Sequence, residues 1–99
     1  MQLQVWPNRF EMQVREMDGV QDVSVIGVAS ITNGRMARIH IVKRNPFLTS
    51  EDVIRHLKMN QESEYHKLES EIVFIPYIPR SYTGRVLEPA LLAQPLLPS

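Results

Sequence analysis

The residues best placed to do chemistry lie in one short run, Ile78-Pro79-Arg80-Ser81-Tyr82-Thr83-Gly84-Arg85-Val86. Two guanidiniums, two hydroxyls and a glycine are crowded between Arg80 and Arg85. Glycine after polar residues marks a turn, so an arginine just past it is displayed on a loop. Such a side chain offers a permanent charge and a planar fork of donors, suited to phosphate or carboxylate oxygens. The plainer reading of Arg85 is a solvated loop cation, with Thr83-Gly84 as ordinary turn chemistry. Other groups offer less. His40, His56 and His66 show no ligand spacing, and His40 reads as a surface or sheet-face histidine rather than a base. The chain has no cysteine, which excludes thiolate metal sites and a cysteine nucleophile. His66 and Lys67 interrupt the acidic group Glu62, Glu64, Glu69 and Glu71, which argues against a metal site. Asp22 and Ser24 form no triad, and no nucleophile-elbow motif is present. The glycines Gly19, Gly27, Gly34 and Gly84 are scattered, so no glycine-rich phosphate loop exists.

The elements that must carry this loop are readable from periodicity. Ninety-nine residues allow one domain with one modest core. Phe10, Val14 and Met17 form an apolar stripe at helical spacing, closed by Asp18-Gly19. Val20–Val28 and Met36–Lys43 read as strands, the second with Ala37, Ile39 and Ile41 on one face. Asn33-Gly34 between them suits a turn that needs positive φ, so an antiparallel pair is expected. Thr49 and Asp52 make a capping-box pattern, with Leu48 able to staple onto Val53, and Val53, Ile54 and Leu57 give that helix its buried face. The polar stretch Asn60–Ser70 reads as loop or irregular helix. A third strand, Glu71–Pro79, ends in prolines that cannot donate to a ladder. Pro89 limits the last helix to a short one. The fold class is therefore α+β: a small, largely antiparallel sheet with two or three packed helices. Residues 1–93 form the domain, and 94–99 are expected to be a flexible tail.

Composition narrows the partners. Eleven basic and eleven acidic residues cancel, so no net field draws the chain to nucleic acid or anionic lipid. No apolar run approaches the roughly 18 residues of a membrane span. The start Met1–Glu11 lacks the features of a signal peptide, which makes the cytoplasm the default location.

From Glu71 to Leu92 the sequence resembles the C-terminal end of the adenylate-forming enzymes, the superfamily of acyl-CoA synthetases, nonribosomal peptide synthetase adenylation domains and firefly luciferase. The family pattern is an apolar strand, Leu-Pro, a basic residue, Thr, any residue, Thr-Gly-Lys and an apolar residue. Here it is met by Ile78-Pro79, Arg80, Ser81, Tyr82, Thr83-Gly84, Arg85 and Val86. His66–Phe74 takes the place of the family's Tyr-Lys-x-Pro and the strand after it. Val23–Lys43 is similar to its Val-Gly-Val strand, loop and following strand, and Thr49–Lys58 to its capped helix. The opening Val5–Val20 is similar to phenylacetate-CoA ligase-like members. The resemblance runs from about Val5 to Ala93.

It implies the small C-terminal lid domain of an ATP-dependent ligase that activates acyl or aminoacyl groups. In that family a large N-terminal domain binds ATP and a carboxylic acid, and the lid closes over them. The residue after Thr-Gly then offsets the charge of carboxylate meeting phosphate. By resemblance Arg85 is the candidate catalytic residue, with Arg80, Ser81, Thr83 and Gly84 as the loop near the phosphate. Two departures stand out. Arg85 replaces the family's lysine, which is not a conservative exchange, and the ATP-binding domain is absent from the chain. No independent activity is therefore expected and no cofactor is expected to bind the chain alone; ATP with magnesium enters with the partner domain. That partner is an N-terminal adenylation domain, in the same longer chain or in trans, with an acyl carrier protein or coenzyme A as acceptor. The alternative is a non-catalytic module that docks on a carrier protein or enzyme subunit. An unrelated α+β domain with a chance loop match would bury the Arg80–Arg85 loop in its own core.

Overall fold

The computed structural model describes residues 6–30, 34–60 and 70–98. Asn33 and most of the polar stretch, 61–69, fall outside the described residues. Helix α1 (Trp6–Arg15) is followed by strands β1 (Val20–Ser30) and β2 (Gly34–Lys43). Helix α2 (Ser50–Asn60), strand β3 (Ser70–Phe74) and the short helix α3 (Glu88–Leu92) complete the described elements.

The strands form one sheet in the order β1-β2-β3. β1 and β2 pair antiparallel, with Val23 opposite Ile41, Val25 opposite Ile39 and Gly27 opposite Ala37. β2 and β3 pair parallel, with Ile39 beside Ile72 and Ile41 beside Phe74. The sheet is thus mixed rather than antiparallel throughout. The connection explains the second pairing: a chain that passes through a helix after β2 re-enters the sheet in the same direction.

Side-chain alternation splits the sheet into two buried faces. On one, Val23, Val25, Ala37, Ile39, Ile41 and Phe74 meet Phe10 and Val14 of α1 and Val53 and Leu57 of α2. Met17 and Ile72 pack against this cluster from its margin. The capping box forms at α2: the Thr49 N–H donates to Asp52 Oδ2 at 3.0 Å, and the Asp52 N–H donates to Thr49 Oγ1 at 3.2 Å. Leu48 is buried in the same cluster as Val53, as a staple requires.

The opposite face is covered by the chain after β3. Ile26 of β1 joins Ile75, Ile78 and Leu91 in a second buried cluster, with Val28, Val42 and Val86 at its edge. The backbone leaves β3 at Ile75, whose N–H still bonds Ile41 C=O at 3.0 Å, and returns at Leu97, whose N–H bonds Phe74 C=O at 2.8 Å. Between these points runs a flap that contains the Arg80–Arg85 loop and α3. Pro89 lies in the first turn of α3, where its missing N–H costs nothing.

Candidate functional site

The loop is a small hairpin standing on the flap. Arg80 and Val86 form an antiparallel bridge at its base, and the Leu87 N–H donates to Pro79 C=O at 2.9 Å. Above it, the Ser81 N–H donates to Arg85 C=O at 2.8 Å and the Gly84 N–H to Ser81 C=O at 2.9 Å. That leaves a three-residue loop, Tyr82 to Gly84, which needs a left-handed residue last. Gly84 supplies it at φ +95.

Each expected site residue has a definite place. Ser81 Oγ accepts N–H groups from Thr83 (3.3 Å) and Arg85 (3.2 Å) and lies 2.8 Å from Thr83 Oγ1. Both hydroxyls thus take part in closing the loop. Arg80 is also engaged: Nη1 donates to Gly84 C=O at 3.2 Å, and Nη2 forms an ion pair with Asp22 Oδ1 of β1 at 2.9 Å. Arg85 differs. Its side chain is exposed and pairs with none of the described residues, while its backbone is held by Ser81 on both sides. The hairpin therefore presents one free cation on a turn closed by its own hydrogen bonds. Tyr82 at its tip is fully exposed. A loop buried in the domain's own core, the mark of a chance match, is not what is seen.

Sequence reading missed Asp22 as part of this arrangement. Its Oδ1 accepts from Arg80, from Arg15 Nη1 of α1 at 3.2 Å and from the Val23 N–H at 2.9 Å. Arg15 in turn bonds Val23 C=O at 3.1 Å and Glu11 at 3.0 Å. No local pattern signals a contact between residues 58 positions apart.

Two other places were candidates. His40 is on the sheet face opposite Ile39 and Ile41, but it is only 1% exposed, because the flap covers that face. The surface placement is corrected accordingly. Ser24, its register partner, is also buried. His40 Nδ1 has no hydrogen-bond partner, and desolvation, followed by the charge of Arg38, lowers its pKa to about 4. Glu71, whose charge acts on His40, is paired with Arg38 at 3.1 Å. A buried neutral imidazole without an acid partner is structural. An open cleft of about 390 Å³ lies between the end of β2 and the returning tail, near Pro46 and Leu97. Its cations are occupied, Lys43 over the Phe74 ring at 4.4 Å and Arg44 on Gln21 at 3.2 Å. Among the described residues no group of three or more His, Asp or Glu side chains could hold a metal ion, and no helix is long and apolar enough to cross a membrane.

The sequence is 30% identical over 83 residues to the long-chain-fatty-acid–CoA ligase of Salmonella typhimurium, across 84% of this chain and 14% of that protein. It is 32% identical over 90 residues to acyl-CoA synthetase 7 of Caenorhabditis elegans, across 89% and 16%. A fatty acyl CoA synthetase of Mycobacterium tuberculosis superposes with a TM-score of 0.75 at 25% identity, over 86% of this chain and 16% of that one. The chain resembles the acyl-CoA synthetases. An ATP-bound RpMatB-BxBclM chimera agrees with this, at a TM-score of 0.74 and 26% identity over 90% of this chain and 18% of its own. No protein-family model matches the chain. It spans only 14–16% of the curated relatives' length, the share of one small domain within an acyl-CoA synthetase-sized protein.

Proposed function

We propose that this chain is the C-terminal lid of an adenylate-forming ligase, working with an ATP-binding domain in the same longer protein or in trans. The observation that carries the reading is the division of labour in the hairpin. Ser81, Thr83, Gly84 and Arg80 take part in building it, and Arg85 is the cation left unpaired at a solvent-facing position. A carboxylate attacking the α-phosphate of ATP brings two anions together, and a cation fixed in advance offsets that repulsion without reorganising during the step. Arg85 has the charge for this contact, on a backbone that Ser81 holds at both its N–H and its C=O. Its fork could take two oxygens at once, where a lysine would act as a point charge. The single free cation of the hairpin suits one anionic contact, so nucleotide and magnesium would be held by the partner domain. An acyl carrier protein or coenzyme A would take the acyl group.

The test is adenylate formation, read by pyrophosphate exchange, in the chain joined to or mixed with its ATP-binding domain. Arg85→Ala is expected to reduce the rate about 100- to 1,000-fold, the range for loss of one preorganised charge-stabilising donor. Arg85→Lys should retain most of it. Equal rates in all three proteins would remove the lid reading. A second reading, docking without catalysis, is favoured by Tyr77, Tyr82, Leu87 and Leu92, which are all exposed on the flap. Under that reading Tyr82→Ala weakens binding to a carrier protein or enzyme subunit while both Arg85 variants are silent.

A further inference from the structure

We propose that Asp22 is a positioning residue for Arg85, acting through Arg80; this rests on the lid reading above. The hairpin is well bonded within itself, and its feet, Ile78 and Val86, belong to the second apolar cluster. Apolar contact is non-directional and leaves the tilt of a narrow hairpin on its feet poorly fixed. Among the described residues, the polar tie from the hairpin to the sheet is the Arg80–Asp22 pair. Arg80 spans the two parts: one nitrogen holds Gly84 C=O, directly before Arg85, and the other holds β1.

Asp22 is suited to be the fixed end. It sits where the β1–β2 register shifts, between Val20 and Asp22, and the Val23 N–H and Arg15 hold the same carboxylate oxygen. Its side chain is 25% exposed and that of Arg80 33%, so the pair is partly sheltered from screening by water. The chain of contacts runs from α1, through Arg15 and Asp22, to Arg80 and the carbonyl one residue before the free cation. Arg15 and Asp22 thereby link the hairpin to the helix on the opposite face of the sheet.

The experiment is backbone amide relaxation by NMR on the 99-residue chain, comparing wild type with Asp22→Ala, Arg80→Gln, the double variant and Arg15→Gln. Order parameters of Tyr82 to Arg85 are expected near 0.85 in the wild type and below about 0.6 in Asp22→Ala and in Arg80→Gln. The double variant should fall no further than Arg80→Gln, because without Arg80 the Asp22 carboxylate has no hold on the loop. Arg15→Gln, which keeps the Arg80–Asp22 pair, should leave the loop ordered. If Asp22→Ala does not fold, Arg80→Gln gives the same readout from the exposed end. Unchanged order in Arg80→Gln, or additive loosening in the double variant, overturns the proposal. The lid reading is judged separately by pyrophosphate exchange. There, Asp22→Ala should lower the rate in the Arg85 protein and have no further effect in the Arg85→Ala background. A further drop in that background would show a general structural role and also overturn the positioning assignment.

Discussion

His40 shows how one side chain can report the state of a whole face. Its imidazole is buried neutral, with a pKa lowered to about 4 from the ordinary 6.5 by desolvation and the charge of Arg38. The unfolded chain therefore binds a proton on this residue at a higher pH than the folded one. Between about pH 6.5 and pH 4 the unfolded state holds more protons, so stability falls as pH is lowered through that window. The loss is on the order of 3 kcal/mol if His40 accounts for it alone. Urea midpoints at pH 7 and pH 4.5 should differ accordingly, and His40→Leu should flatten the difference. Gly84 makes a second prediction at this scale. A methyl group there would meet nothing within 4 Å, so Gly84→Ala isolates the cost of its φ of +95. That cost is about 1–2 kcal/mol, and it should appear as a loosened hairpin in the same relaxation experiment.

At the scale of elements, local patterns carried most of the information. Phe10 and Val14 are buried as their spacing requires, and Ala37, Ile39 and Ile41 are wholly inaccessible on one face of β2. The Thr49–Asp52 box forms as a sequence motif should, because it needs only residues three apart. Thr49→Ala is expected to cost about 1 kcal/mol, measured by chemical denaturation, since it strips a cap from α2. What stayed hidden was set by distance along the chain. The parallel pairing of β3 was implied by the helix between β2 and β3, a signal present but outweighed by the hairpin before it. The burial of His40 depends on a flap more than 30 residues later, and the Arg80–Asp22 pair on residues 58 apart. Of the candidate site, the turn and its two arginines were legible. Which arginine is free was not, because that depends on a carboxylate supplied by another element.

On the scale of the whole molecule, two apolar clusters lie on opposite sides of a three-stranded sheet. The larger joins α1 and α2 to the sheet, whereas the smaller holds the flap. Segments with fewer buried contacts open at lower free energy than the body they rest on. Hydrogen exchange should therefore show two tiers, with Ser81, Gly84 and Leu91 exchanging well before Ile39, Ile41 and Val53. A single tier would mean that flap and body unfold as one unit.

The flap leaves β3 and comes back beside it, with Ile75 and Leu97 flanking Phe74 across the backbone bridge. Two cuts, both at the end of a single strand, therefore delimit the whole cover of that face together with its arginine. Such a piece is a cassette. The segment equivalent to residues 76–96 of a similar acyl-CoA synthetase could be spliced onto this sheet at neighbouring junctions, with Ile26 and Asp22 among the residues of β1 it must still fit. An exchange of that kind would transplant the exposed cation together with its own turn while leaving the α1–α2 core untouched.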